Sequence, residues 1–417
     1  MTDVIDLLAG LSAEGPLDAV RHRRGQAREN AQRSFAALLE PADDRGFPLA
    51  ERYAVATFVA ALHDDDAAAR FYGDLLEDED PALSTAVLTA AAAGRSVGPV
   101  GVYREPGLAA ESIPVEAYGV PDAVAPALGE RLTAALEHTH LLVFRPRESS
   151  ADALRRLVAA GWDADQIVSL SQLVSFLAFQ LRAVAGLRVV SGRRTTAWVA
   201  PEPVAPGRPH TTPAATAWVS EHDGIRRPEA FTQDGLGWVP WLAPVEREAL
   251  TPEQLEALIE PARASMPYFR LLARDPAALE ARTLTDLDIF TNTDGGLPRA
   301  ARELSAATAS RLNGCVFCAS VHAAFATRES GRRDDVQRLL DEGVESELGD
   351  EQWNAVAAAS AALAATPPAL SEVHVARLRD AGLDDAAIVD AVNGAAFFSW
   401  ANRLMLSLGE PEVPARR

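Results

Sequence analysis

The sequence predicts an all-α fold made of two tandem helical halves. Three observations predict it. Apolar residues recur at helical rather than alternating spacing through long Ala- and Leu-rich segments. Those segments carry helix start and stop residues where helices need them. A pattern in the first half also returns in the second half at a fixed distance. No βαβ alternation and no hairpin pattern interrupts the helices.

Helical periodicity covers residues 49–71, 122–142, 150–187, 251–273, 298–312, 315–327, 349–364 and 371–408. Thr251-Pro252-Glu253-Gln254 supplies an N-cap, a proline at the first helical position and an acidic first turn. Gly161 and Gly382 each fall inside a long periodic stretch and should split it into a helix pair. Residues 191–230 contain Pro201, Pro203, Pro206, Pro209, Pro213 and Pro228, so no regular helix can form there. That stretch reads as a linker between a domain at 1–190 and a domain at 231–417.

The repeat is specific. Gly161 and Gly382, Ile167 and Ile388, Phe176 and Phe397, and Arg182 and Arg403 each stand 221 residues apart. Upstream, Glu51 pairs more loosely with Glu303, 252 residues on. The Gly/Pro-rich run at 95–121 is then an insertion in the first copy.

Composition limits the possible partners. The 417 residues hold 39 Lys and Arg against 59 Asp and Glu, a formal charge of −20. Such a surface repels nucleic acid and anionic membranes, so neither is expected as a partner. The hydrophobic fraction of 48% and charged fraction of 24% are those of a globular protein. The first residues lack a basic segment, so no signal peptide is expected. The most apolar stretch, 167–181, reads as too short and too polar for a membrane span. A cytoplasmic location is the default.

The two cysteines, Cys315 and Cys318, are too few for a disulfide framework. They belong to Glu303-x11-Cys315-Val-Phe-Cys318-Ala-Ser-Val-His322. Cysteines at i and i+3 with a histidine four further on share one helix face. Asn313-Gly314 just before them is a plausible helix start, and thiols in a first turn feel the positive end of the helix dipole. His322 can exchange a proton with Cys318, and Glu303 can polarise the imidazole. Two thiols so close can also form a disulfide. Other readings compete. Structural zinc needs about four ligands and finds three here. Haem attachment needs His where Ala319 stands, and a thioredoxin-type site needs a βαβ context. A purely structural helix with two buried thiols and a hydrogen-bonded histidine stays open.

Arg302-Glu303-Leu followed by Asn313-Gly-Cys315-Val-Phe-Cys318-Ala-Ser-Val-His322 resembles the AhpD-like branch of the carboxymuconolactone decarboxylase superfamily. The wider second half, from Phe231 through Tyr268-Phe-Arg-Leu-Leu-Ala-Arg-Asp-Pro276 to Asn402-Arg403, is similar to peroxidase-related members of that branch. The first half resembles a divergent copy, so the resemblance spans nearly the whole chain. It implies tandem AhpD-like all-helical domains, oligomer assembly and peroxide reduction by a cysteine pair with no cofactor. By motif, Cys318 would be the peroxidatic thiol, Cys315 the resolving thiol, and Glu303 with His322 the proton relay. The partners implied are a peroxide and a thiol reductant protein of dihydrolipoyl or thioredoxin type. Some members carry histidine between the cysteines where this chain has Phe317, so that relay branch is missing. In the first copy, counting from Glu51 sets His63 and Asp66 against the cysteines and Arg70 against the histidine. No thiol remains there, and 63–66 reads as a solvated helix end. His138 and His140 point to different helix faces and receive no role. Trp238 and Trp241 either pack the linker exit onto a domain or wall a substrate site. A non-redox decarboxylase-type enzyme and a redox-sensing scaffold are the competing functions.

Overall fold

The computed structural model describes residues 3–193, 205–222 and 224–415. Among them the first half contains α1 (Val4–Ala9), α2 (Pro16–His22), α3 (Gly25–Leu39), α4 (Leu49–Leu62), α5 (Asp66–Glu79), α6 (Pro81–Ala93), α7 (Ala125–Phe144), α8 (Ala151–Ala159) and α9 (Ala164–Val190). The second half contains strand β1 (Gly237–Pro240), then α10 (Pro252–Ala257), α11 (Pro267–Leu272), α12 (Pro276–Thr291), α13 (Arg299–Asn313), α14 (Val316–Ser330) and α15 (Arg333–Glu342). It ends with α16 (Glu351–Ala364), α17 (Glu372–Asp380), α18 (Asp385–Leu408) and β2 (Gly409–Glu412). The fold is all-α. The one short sheet pairs β1 antiparallel with β2, Gly237 opposite Glu412. Its strands come from opposite ends of the second half, so no local hairpin pattern announces it.

Helix ends follow the punctuation in the sequence. Thr251 and Gln254 form the reciprocal capping box at the start of α10, at 3.2 and 3.0 Å. Asp163 and Gln166 do the same for α9, at 2.9 and 3.2 Å. Gly161 (φ 92°) and Gly382 (φ 88°) take the left-handed conformation that ends α8 and α17. Beyond each, an i→i−5 bond closes the turn, Trp162 N to Leu157 O at 3.0 Å and Leu383 N to Leu378 O at 3.1 Å. The expected helix at 251–273 is broken instead. Pro261 and Pro267 cannot continue a helix, and only the short pieces α10 and α11 form. The stretch 49–71 likewise divides, because Asp65 caps a new helix by accepting from Ala68 N at 3.0 Å.

Helix starts also correct the register of the repeat. Pro48 and Pro298 are the N-caps of α4 and α13, and Arg52 and Arg302 follow each by four residues. Asp65 and Cys315 are the N-caps of α5 and α14. These pairs stand 250 apart, not 252. The counterparts of Glu303, Cys315, Cys318 and His322 are therefore Tyr53, Asp65, Ala68 and Tyr72.

The halves meet along α9 and α18, the two longest helices. Phe176 and Phe179 pack against Trp400 and Phe397, with ring centroids 5.2 to 6.1 Å apart. The Trp400 indole donates to Gln172 Oε1 at 3.2 Å. Arg403 donates to the Leu142 and Val143 carbonyls at the end of α7, at 2.9 and 3.0 Å. Its repeat partner Arg182 donates to Ala364 and Ala365 at the end of α16, at 3.0 and 2.9 Å. Each long helix thus satisfies the orphan carbonyls of the opposite half. Both guanidinium groups are fully buried, and burial pulls their pKa values down, Arg403 to about 9. Arg403 remains a cation at neutral pH. A second contact pairs α3 with α12, where Ala27 N donates to Asp288 Oδ2 at 2.7 Å.

α9 is longer than the 15 apolar residues suggested, and by length and composition alone it could cross a membrane. Within its most apolar window 89% of residues are buried inside the protein, which accounts for the apolarity: it is the central core helix. The described part of the Pro-rich stretch contains no helix; its earlier residues lie on the first half, and residues 218–227 lie on the second, where Val219 pairs with Leu242 and Val413 N donates to Arg226 O at 2.7 Å. Gly207 pairs with Gly119, and His210 contacts Glu137 at 2.7 Å and Asp122 at 3.0 Å. Pro201 and Pro203 lie outside the described residues. The insertion at 95–121 reaches across to the second half, where Glu111 holds Arg311 through two bonds of 2.7 and 2.8 Å.

Candidate active site

α13 and α14 form a tight antiparallel pair joined at Gly314, whose φ of 80° only glycine adopts cheaply. A Cβ there would also press on Arg147 at 2.9 Å. This turn fixes where α14 begins. Cys315 becomes its N-cap and Cys318 its third residue, so both thiols sit at the electropositive helix end. Asn402 of α18 braces the turn from behind, accepting from Asn313 and donating to Ser310 Oγ, both at 3.0 Å.

Glu303 reaches the site from α13. It is 1% exposed, and one carboxylate oxygen lies 2.6 Å from His322 Nδ1 while the other accepts from Arg299 Nε at 3.1 Å. A carboxylate at Nδ1 assigns that nitrogen the proton, which leaves Nε2 as the basic nitrogen. The Phe398 and Phe290 ring centres lie 3.9 and 5.4 Å from that of the imidazole, so two aromatic rings pack against it.

A cavity of about 390 Å³ opens at this point. Cys318 and His322 line it, one helical turn apart on the same face of α14. Trp238, Met266, Phe269, Phe317, Phe398 and Met405 give it apolar walls. Cys315 lies behind, 1% exposed. Burial first, then the neighbouring Cys318, pushes the Cys315 thiol well above the usual range. The two thiols are free, not joined in a disulfide.

The structure thus brings together Glu303, His322, Cys315 and Cys318. Trp238 is part of the cavity wall, whereas Trp241 is 2% exposed and lies under Arg104. Sequence reasoning missed Tyr268, Arg282 and Asp286, which also line the cavity. They come from α11 and α12 and share no spacing with the cysteine motif. Asp286, with about a third of its side chain exposed at the cavity, has its carboxyl pushed up, chiefly by desolvation.

The first half has no counterpart of this site. Ala68 replaces Cys318, and Tyr72 in the place of His322 hydrogen-bonds Gln180 instead. His63 is not a solvated helix end: it is 3% exposed, bonded to Val59 O at 2.8 Å and to Arg182 at 3.0 Å. Burial, and then Arg182, pushes its pKa well below the usual value. Glu51 pairs with Arg131 at 3.0 Å. Among the described residues no three His, Cys, Asp or Glu side chains are grouped to hold a metal ion.

Two solved structures resemble part of the fold. The debrominase Bmp8 without ligand is 19% identical, and the match covers 39% of this chain and 86% of that one with a TM-score of 0.32. A cysteine-to-alanine variant of Bmp8 in complex with 2,3,4-tribromopyrrole matches over the same shares at 21% identity and a TM-score of 0.32. No curated protein matches the chain in sequence. The family comparison falls on the second half alone, from the start of α12 into α16, and so spans much less than the near-complete resemblance suggested. There, residues 276–361, which include Glu303, both cysteines and His322, match the carboxymuconolactone decarboxylase family.

Proposed function

We propose that the protein reduces organic hydroperoxides with its cysteine pair. One observation carries this reading: Cys318 faces an apolar cavity beside a carboxylate-backed histidine, while Cys315 waits behind it as a buried thiol. His322 Nε2 takes the Cys318 proton, and the thiolate attacks one peroxide oxygen. The S–O bond forms as the O–O bond breaks, and the second oxygen leaves as alkoxide and takes the proton from His322. Cys318 is then a sulfenic acid. Cys315 attacks its sulfur, water leaves, and a Cys315–Cys318 disulfide remains. An external dithiol, of dihydrolipoyl or thioredoxin type, returns both thiols. The sum is one hydroperoxide and one dithiol converted to an alcohol, water and a disulfide.

Steady-state consumption of tert-butyl hydroperoxide with dithiothreitol tests this. The wild type should turn over, Cys318→Ser should be inactive, and Cys315→Ser should oxidise once and stop. Full turnover by Cys318→Ser would remove the role of that thiol. One stoichiometric oxidation of the wild type without turnover is the behaviour of a redox-sensing scaffold and would sink the enzymatic reading.

A further inference from the structure

We propose that Tyr268 is a further catalytic residue of this site: its hydroxyl donates to the oxygen that leaves when the peroxide bond breaks. This rests on the peroxide-reducing reading of Cys318. Tyr268 lines the same cavity as Cys318 and His322 and is 9% exposed. Its hydroxyl is buried and has no hydrogen-bond partner. A tyrosine used only for packing normally finds a partner for a buried hydroxyl, so an orphan in a cavity wall points to a group that arrives later.

The hydroxyl is also held in place. Pro267 starts α11 and fixes the backbone at Tyr268. Trp238 and Phe269 meet the ring nearly at right angles, with centroids 5.4 and 5.3 Å away. Beside it stands a second orphan donor, Arg282 Nε, on a side chain that is 5% exposed. The Arg282 guanidinium carbon lies 5.9 Å from the Tyr268 ring centre and 5.1 Å from that of Phe397. Its nearest carboxylate, Asp286, is 3.8 Å away, beyond hydrogen-bond range. Both unpaired groups can donate, so the ligand they lack is an acceptor oxygen.

Protonation agrees with that role. Burial raises the Tyr268 phenol above its usual range, Arg282 opposes this, and the two cysteines add to the rise. The phenol therefore keeps its proton at neutral pH and works as a donor, with a cation alongside to strengthen it. As the Cys318 sulfur bonds to one oxygen, the electron pair of the O–O bond moves onto the other. Tyr268 meets that charge with a hydrogen bond and retains its own proton. The proton that completes the alcohol is the one His322 took from Cys318, so the step balances as thiol plus hydroperoxide to sulfenic acid plus alcohol. Donors fixed where charge develops act on the transition state more than on the bound substrate.

The test compares two leaving groups. Pre-steady-state oxidation of Cys318 is measured in wild type and Tyr268→Phe with tert-butyl hydroperoxide, which releases a strongly basic alkoxide, and with peracetic acid, which releases weakly basic acetate. Loss of one such donor should slow the alkoxide reaction about 100-fold and the acetate reaction by less than about fivefold. Tyr268→Phe keeps the ring and removes only an unpaired hydroxyl, so its melting temperature should equal or exceed that of wild type. Equal losses with both oxidants, or no loss with either, would overturn the assignment while the role of Cys318 stands. A wild type inert to both would overturn the underlying reading and this assignment together.

Discussion

Glu303 does two things with one carboxylate, pairing with His322 through one oxygen and with Arg299 through the other. Replacing it by Gln keeps the shape and removes the charge that favours a basic Nε2. Glu303→Gln should therefore slow peroxide reduction by about 10- to 100-fold and slow alkylation of Cys318 at neutral pH, with little change in melting temperature. An unchanged alkylation profile would reduce Glu303 to a helix contact. Glu303, on the preceding helix, was read from its place in the motif, whereas the two thiols and His322 were legible in the sequence because helix geometry turns their spacing on α14 directly into proximity. Tyr268, Arg282 and Asp286 were not. They reach the cavity from other helices, and that a hydroxyl will be buried without a partner depends on tertiary packing.

At the scale of elements, glycine and capping residues were readable because their effect is local. Gly161, Gly382, Thr251 and Asp163 all act where they stand. The error at 251–273 was also local: Pro261 and Pro267 stood in view, but the apolar periodicity of the flanking residues outweighed them. The contribution of Arg403 was invisible, since its acceptors lie 260 residues away on α7. Arg403→Ala would leave buried carbonyls unpaired and a cavity beside α18, and should cost about 3 kcal/mol or more in chemical denaturation. α7 also gives the fold a pH dependence. Burial lowers the pKa of His138 to about 4 and that of His140 to about 3. Both stay neutral when folded, whereas the unfolded chain protonates them below about pH 6.5. Stability should thus be unaffected above pH 7 and fall as pH drops from 6.5 towards 4, by about 1.4 kcal/mol per pH unit for each histidine. His138→Leu should flatten the slope between pH 6 and 5 by about one proton. An identical slope would place the proton uptake elsewhere.

Over the whole molecule the two halves interlock. α9 lies against α18, α3 against α12, and Arg182 and Arg403 exchange carbonyls across the seam. The repeat that carries this was legible from four anchor pairs. Its upstream register was off by two, because Glu51 and Glu303 matched as letters while Pro48 and Pro298 start the helices. Phe231–Arg417 expressed alone would expose Phe397 and Trp400, which α9 otherwise covers. Light scattering on that fragment should find aggregation or self-association. A well-behaved, fully active monomer would show that the first half is not needed for packing.

The central claim concerns one sulfur atom, and trapping tests it most directly. Cys315→Ser is exposed to one equivalent of tert-butyl hydroperoxide in the presence of dimedone, and the adduct is located by peptide mass spectrometry. A dimedone adduct on Cys318, formed at a rate that Glu303→Gln lowers, is the predicted result. No adduct on Cys318 while the peroxide is consumed would contradict it.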